Sequence, residues 1–410
     1  MMKKRILAAA LATIFTVASL TGCGASTDEN TTATGTGSEA AAAATTDIDS
    51  IGDVKLTVLC GYAGEDPHGQ YVYSYAEEYM KEHPNVKIEI QAISTNDIYT
   101  KLSAMATTPE DLPQIFMTSA DAVATLYDLG LTRDLTGLIS DDLAGEFANG
   151  VLDSCKLDDK IVYFPIAIQP QAIIYRKDRF EEAGLTIPTT WDEFIDCAKA
   201  LTKDSDGDGE VDQWGFGMVG SNNSSGQSRF MSYLWSNGVD CVTGEDGDFS
   251  TDLKADNKTF TDAFAKWTQM NTDGIVPIGI TEVDYPTAAN YFAMGYTSMF
   301  MTGSNALGVA YANNPDLKGK LGSFKLPGDY PGTMLGTEGY AVSAYATDEE
   351  AAAAIDYLRF FIEHDDQMMF WQSSGKIPST VEGQKADYIT GDDYAGYLQQ
   401  IADGCRPTVS

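Results

Sequence analysis

The sequence predicts an α/β fold arranged as two lobes, and three observations carry that prediction. From Val54 onward, short β-like apolar runs alternate with segments of helical periodicity, the order that builds a parallel sheet covered by helices. About 360 residues follow the N-terminal region, too many for one core and suited to two of ordinary size. A proline stands between two strand-like runs at Gln169-Pro170-Gln171, which marks a crossing point rather than the middle of a sheet.

The elements follow in order. Val54 to Cys60 reads as a strand, and Val72, Tyr75, Ala76, Tyr79 and Met80 then recur at helical spacing until Pro84. Val86, Ile88 and Ile90 alternate as a second strand. Ile98, Leu102 and Met105 mark a helix, Gln114 to Met117 a strand and Ala122 to Leu129 a helix. Ligands of such sheets sit beyond the carboxyl ends of the strands, which directs attention to the loops Gly61 to Gly69 and Thr118 to Asp121. Ile161 to Ile168 and Ala172 to Tyr175 flank the crossing. Thr190-Trp191-Asp192-Glu193 is a capping box that starts a helix carrying Phe194, Ala198 and Leu201. Phe260, Phe264 and Trp267 mark another helix, Thr297 to Met301 and Tyr340 to Ser343 read as strands, and Ala351, Ala354, Ile355, Leu358, Phe361 and Ile362 form a strong apolar stripe.

Ahead of these elements, Lys3, Lys4 and Arg5 precede an apolar stretch from Ile6 to Leu20, and Leu20-Thr21-Gly22-Cys23 closes it. A basic start, a short apolar core and small residues at the end describe a secretion signal, residues 1–22. The run resembles the lipobox of bacterial lipoproteins, which implies that Cys23 becomes the lipidated first residue. Residues 23–50 are mainly Thr, Ala, Ser, Gly and acidic residues, with one Ile and no aromatic, so they predict a disordered tether, and the folded part is expected from Ile51.

The 60 acidic residues against 26 basic give a formal net charge of −34, and loss of the three basic signal residues deepens it. Such a surface repels polyanions, so nucleic acid is excluded as a partner. Beyond Cys23 the cysteines are Cys60, Cys155, Cys197, Cys241 and Cys405, an odd number without a Cys-x-x-Cys pair. They read as small buried residues; a Cys60–Cys155 disulfide is conceivable but does not follow from the spacing. The three histidines, His68, His83 and His364, stand apart in sequence, which argues against a histidine-rich metal site or a serine–histidine triad.

Four motifs in succession, Leu157-Asp158-Asp159-Lys160-Ile161-Val162-Tyr163-Phe164-Pro165, Ile174-Tyr175-Arg176-Lys177-Asp178, Phe180-Glu181-Glu182-Ala183-Gly184-Leu185 and Pro188-Thr189-Thr190-Trp191-Asp192-Glu193-Phe194, make the chain from Val54 resemble the family 1 extracellular solute-binding proteins, relatives of maltose-binding protein that serve bacterial ABC importers. The resemblance implies a two-lobed periplasmic-binding-protein-like fold of type II, with a ligand cleft between lobes joined by hinge strands. It implies one lobe from 51–168 and 335–371, and another from 169–334 and 372–410, with the return crossing near Gly336-Thr337-Glu338-Gly339. Gln372-Ser373-Ser374-Gly375-Lys376-Ile377-Pro378 resembles the segment leading back into the second lobe. Similarity places ligand contacts at Tyr62, Glu65, Thr118, Ser119, Asp121, Gln169, Asn305 and Glu338. Asn305 stands where relatives often carry a sugar-stacking tryptophan, which argues against a maltose-like ligand. The implied protein is a monomeric receptor, not an enzyme, lipid-anchored on the extracellular face of the membrane. It would bind a sugar or oligosaccharide and deliver it to the permease subunits of an ABC transporter.

A sugar site needs planar polar groups for hydroxyls and aromatic faces for C–H surfaces. Tyr62, Phe230, Tyr233, Trp235, Tyr285 and Trp371 are candidate platforms, and each also reads as core; Trp191 reads as packing. The same receptor fold for another solute, such as a polyamine, is an alternative. An anchored glycoside hydrolase would need two carboxyls about 5 to 10 Å apart; Glu65, Asp121 and Glu338 could be offered, but no motif singles out a pair. Asp204-Ser205-Asp206-Gly207-Asp208-Gly209-Glu210-Val211-Asp212 resembles a calcium loop, with oxygen ligands at Asp204, Asp206, Asp208, Glu210 and Asp212 and Gly209 at the sharp turn. Its twelfth position is Gly215 rather than a bidentate glutamate, so the segment reads either as a structural calcium site or as an acidic turn. No other cofactor is required. Gly215-Phe216-Gly217-Met218-Val219-Gly220 spells a dinucleotide fingerprint without the strand–helix context that would make it one. Asp365-Asp366 and Asp392-Asp393 are adjacent acids suited to surface solvation.

Overall fold

The computed structural model describes residues 47–62, 67–120, 122–244, 250–363 and 374–406. The expected signal, Cys23 and most of the tether lie outside them, as do Glu65, Asp121 and Trp371. Two sheets organise the described residues. The first joins β1 (Val54–Cys60), β2 (Val86–Ala92), β3 (Ile115–Ser119), β6 (Phe164–Ile168), β11 (Glu338–Val342) and β12 (Ile377–Pro378) in the order β12-β6-β11-β3-β1-β2. The second joins β7 (Gln171–Arg176), β8 (Trp214–Gly217), β9 (Thr297–Gly303) and β10 (Leu321–Phe324) in the order β10-β7-β9-β8. Between β3 and β6, β4 (Lys156–Leu157) and β5 (Lys160–Ile161) make a hairpin. Both of its turn residues, Asp158 and Asp159, have positive φ, the requirement of a two-residue turn matched to strand twist.

The predicted parallel sheet holds for part of the first lobe. β1 pairs in parallel with β2 from Val54–Val86 to Cys60–Ala92, and with β3 at Val58–Ile115 and Leu59–Phe116. Beyond β3 the pairing turns antiparallel, with β11 between β3 and β6 and β12 outside β6. The reason is topological: parallel neighbours are joined by helical crossovers, whereas β11 returns from the other lobe and enters in the opposite sense, and β12 runs antiparallel along the outer side of β6. The helix Asp348–Glu363 then packs on β1, β6 and β11. Its expected stripe is buried at Ala351, Ala354, Ile355, Leu358 and Phe361, and Tyr75 meets Phe361 edge to face.

In the second lobe, the helix Trp191–Leu201 packs on β8 and β9. It starts with the anticipated capping box: the Thr190 hydroxyl accepts from the Glu193 amide at 3.2 Å, and the Glu193 carboxylate accepts from the Thr190 amide at 3.2 Å. Trp191 is buried, donating Nε1–H to Ser236 Oγ at 2.9 Å. The fingerprint-like glycines serve packing. Gly215 and Gly217 lie within β8, and a Cβ on Gly215 would fall 2.0 Å from the Ala198 carbonyl oxygen.

The structure corrects the outline of the lobes at two places. The folded region begins before Ile51, because Ile48 is buried and Asn85 Nδ2 donates to its carbonyl at 2.8 Å; one branched apolar residue is enough to dock a short 3-10 turn, Ile48–Ser50, on the first lobe. The segment after residue 372 does not belong to the second lobe throughout. β12 pairs with β6 at Ile377–Ile168 and Pro378–Ala167, and Ser379 N donates to Ile166 O at 3.2 Å. Only the later helix Asp392–Asp403 packs on β7 and β10. All five described cysteines are thiols, four of them buried.

The β11–β6 register shifts between Glu338 and Gly339, whose partners are Ala167 and Pro165. Ile166 is the extra residue, and its carbonyl is the one taken by Ser379. Bulges of this kind bend the strand that carries the extra residue, here β6 opposite Glu338 and Gly339. The approach is tight, with a Cβ on Gly339 placed 1.9 Å from Phe164 O. Gly339→Ala is expected to force the strands apart and cost about 3 kcal/mol; a urea midpoint equal to that of the parent protein would contradict this account of the crossing.

Candidate functional site

Strand polarity brings the site residues to one edge of the first sheet. The carboxyl ends of β1, β3 and β6 and the amino ends of the antiparallel β11 and β12 all face the same way. Residues just beyond these ends are therefore neighbours: Tyr62 after β1, Thr118 and Ser119 closing β3, Gln169 after β6, Glu338 opening β11 opposite Ser119, and Lys376 before β12.

Their side chains form a connected polar network. Tyr62 OH donates to Glu338 Oε1 at 2.8 Å, and Gln169 Nε2 donates to Glu338 Oε2 at 3.0 Å. Lys376 Nζ donates to Tyr62 OH at 2.7 Å and forms an ion pair with Glu338 Oε1. The Lys376 and Glu338 side chains are 10 % and 13 % exposed, so each charge has left bulk water and depends on the other. Burial, and then the Glu338 charge, push the Tyr62 phenol well above its ordinary range, so it stays a neutral donor. Beside Glu338 lies a cavity of about 120 Å³ walled by Tyr99, Leu102, Met117, Thr118 and Ser119. The Thr118 hydroxyl is buried with no hydrogen-bond partner among the described residues, a donor and acceptor that something entering the cavity could satisfy.

The second lobe faces this edge through the end of β9. Gly303 pairs with Gln171, and a Cβ on it would lie 2.9 Å from Asn305 Oδ1 and 3.6 Å from Gln169, so glycine lets the two lobes' polar groups meet. Asn305 opens the helix Asn305–Asn313, and its Nδ2 donates to Tyr285 OH at 2.9 Å. Arg229 lies under the Tyr285 ring, 5.0 Å from its centroid, with Nε donating to Met301 O at 2.9 Å. Burial lowers its guanidinium to about 10, and its partners are carbonyls, a hydroxyl and rings. The Ser304 hydroxyl is buried and without a partner among the described residues.

The structure thus unites Tyr62, Thr118, Ser119, Gln169 and Glu338 at one sheet edge, with Asn305 across from Gln169. Glu65 and Asp121 lie outside the described residues. Among the proposed aromatic platforms, Tyr62 and Tyr285 are at the site. Tyr233 belongs to the core, where its hydroxyl donates to Ala263 O at 2.9 Å and its ring packs on Trp191 and Trp267. Trp235 is buried beside Arg406, and Phe230 packs against Phe264 and Trp267; the apolar period of their helix explains both. Lys376 was not anticipated. Its only sequence signal is a lysine between Gly375 and Ile377 in a base-poor chain.

The acidic loop folds on itself. Carboxylate oxygens of Asp204, Asp206 and Asp208 lie within 4.8 Å of one another. Asp204 accepts amides from Gly209 at 2.8 Å and Gly207 at 2.6 Å, which hold its carboxyl below the usual range. Glu210 and Asp212 do not join the cluster: Glu210 is exposed, and Asp212 accepts from the amide and hydroxyl of Ser205, both at 2.7 Å.

Residues 62–368 match the family described as bacterial extracellular solute-binding protein. The chain belongs to this family. Among its relatives, the diacetylchitobiose-binding protein DasA of Streptomyces coelicolor is 26 % identical over 81 % of this chain and 77 % of that protein. The melibiose/raffinose/stachyose-binding protein MelE of Bacillus subtilis is 22 % identical over 78 % of this chain and 73 % of its own. Maltose-bound MalE3 of T. maritima has the same fold, with a TM-score of 0.72 at 22 % identity over 87 % of this chain and 90 % of that one. Membership makes the protein a solute-binding protein that works outside the cytoplasm, and not an enzyme. The two-lobed α/β architecture expected of the family is the one observed.

Proposed function

We propose that this protein is a lipid-anchored receptor that captures a sugar or oligosaccharide between its lobes and delivers it to the permease of an ABC importer. The observation that carries this reading is the sheet edge itself: neutral and paired polar groups converge there, beside buried hydroxyls of Thr118 and Ser304 that lack partners among the described residues. Such planar and hydroxylic groups match the rim of a saccharide, and Tyr62 and Tyr285 offer aromatic faces. The sugars named for DasA and MelE agree with this class. Contacts are assigned to Tyr62, Thr118, Ser119, Gln169, Asn305 and Glu338, with Glu65 and Asp121 retained from the sequence.

The anchor is assigned to Cys23, after removal of residues 1–22, with the chain up to Asp47 as tether. Calcium is assigned to Asp204, Asp206 and Asp208, whose oxygens are close enough to share one ion; hard calcium favours such ligands, and its role there would be structural.

In a thermal-shift panel of mono- and oligosaccharides with spermidine, one saccharide class is expected to raise the melting temperature. Stabilisation by spermidine and by no saccharide would contradict the sugar reading. Cys23→Ala should release the protein from membranes into the medium with saccharide affinity unchanged; a variant still bound to membranes would refute lipidation. Calcium should raise, and a chelator lower, the melting temperature of the parent protein but not of Asp206→Asn with Asp208→Asn, whereas equal melting in calcium and chelator would mark the loop as an acidic turn only.

A further inference from the structure

We propose that Lys376 is a specificity-determining residue that withholds the Glu338 carboxylate from cationic ligands. The inference rests on the receptor reading above and concerns the same site. A chain of net charge −34 surrounds itself with a field that gathers cations, and a bare carboxylate at the lobe junction would offer them a binding point. Glu338 is not bare. Oε1 accepts from Tyr62 OH and pairs with Lys376 Nζ, while Oε2 accepts from Gln169 Nε2. The other described groups that share this edge, Thr118, Ser119, Gln169 and Tyr62, are neutral, so among the described residues Glu338 is the one carboxylate there and Lys376 cancels its charge. A cationic ligand would have to displace an ammonium already in contact, and an anionic one would meet the carboxylate.

Lys376 is also held from both lobes. Gly375 takes φ +68°, and a Cβ there would lie 2.8 Å from Ser304 O and from Gly308 N, so the chain presses on the second lobe's helix start. One residue later β12 pairs with β6 of the first lobe, and Tyr388 OH donates to Lys376 O at 2.8 Å. The backbone is thereby fixed, and the ammonium, 5.3 Å from the Tyr62 ring centroid, is delivered to one place. A pair needed only to fasten the crossing would not have to stand beside the cavity that Glu338 lines.

The test compares the parent protein with Lys376→Met, Lys376→Arg, and Lys376→Met combined with Glu338→Gln, using calorimetry with the saccharide found in the panel and with spermidine. Lys376→Met keeps the aliphatic reach and exposes the Glu338 charge, and is expected to lose saccharide affinity at least tenfold while gaining spermidine binding. Lys376→Arg keeps the charge and should stay within about threefold of the parent for saccharide. The double variant carries neither charge and should bind no spermidine, with saccharide affinity below that of the parent because Glu338 is itself a contact; should Lys376→Met fail to fold, Lys376→Gln takes its place with the same expected gain of spermidine binding. Saccharide binding by the parent with no amine gain in Lys376→Met, or spermidine binding by the double variant, overturns this inference while leaving the receptor reading intact. Spermidine binding by the parent in place of any saccharide overturns both.

Discussion

A carboxylate brought out of water at the junction of two sheets must be surrounded by donors, and the arrangement of this protein follows from meeting that demand at Glu338. Its three donors come from separated parts of the chain: Tyr62 from the end of β1, Gln169 from the first crossing, and Lys376 from the last. Each is in reach because the strands carrying them run so that their relevant ends share one edge. The bulge that leaves Ile166 without a partner in β11 lies opposite Glu338, and the Ile166 carbonyl is taken up by Ser379, next to β12. The same few residues therefore serve sheet pairing, charge compensation and the shape of the cleft.

The sequence carried the local elements well and the long-range ones poorly, for a physical reason. Periodicity reports which face of an element is apolar, and it located β1, β2, β3, β9 and the Asp348–Glu363 helix to within a few residues. The capping box is local chemistry between residues three apart, so Thr190 and Glu193 were legible outright. Strand direction is not encoded in this way. An apolar run reads the same whether it pairs in parallel or antiparallel, so the antiparallel entry of β11 and the docking of Ile377–Pro378 on β6 were invisible. Ile48 did not read as an anchor because one apolar residue in a polar stretch falls below what a compositional argument resolves.

The candidate site shows the same division. Residues at predicted strand ends, Tyr62, Thr118, Ser119 and Glu338, were recoverable once the topology was supposed, as was Gln169 at the proline-marked crossing. Lys376 was not, since its meaning lies in a contact with Glu338 across 38 positions of sequence and in the glycine before it. Aromatic residues were the least decipherable. Tyr233 and Tyr285 look alike as letters, yet one hydroxyl is spent on a helix carbonyl in the core and the other on Asn305 at the cleft; only packing separates a platform from a core residue.

Among the described residues two cations are buried, Lys376 and Arg229, and they bear on how such a cleft handles charge. Lys376 is matched by a carboxylate, whereas Arg229 is satisfied by carbonyls and by the faces of Tyr285 and Phe300. Dispersing a guanidinium over rings and carbonyls suits its planar, weakly hydrated form, and a compact ammonium lacks that option. The assignment of lysine to the carboxylate and arginine to the ring therefore follows from how each cation sheds water. It also fixes what each lobe can present: from the first, a paired and polar edge; from the second, an aromatic ring stiffened from beneath. The sugar proposed as ligand would offer hydroxyls to one and a C–H face to the other, since a pyranose ring carries both in one rigid body.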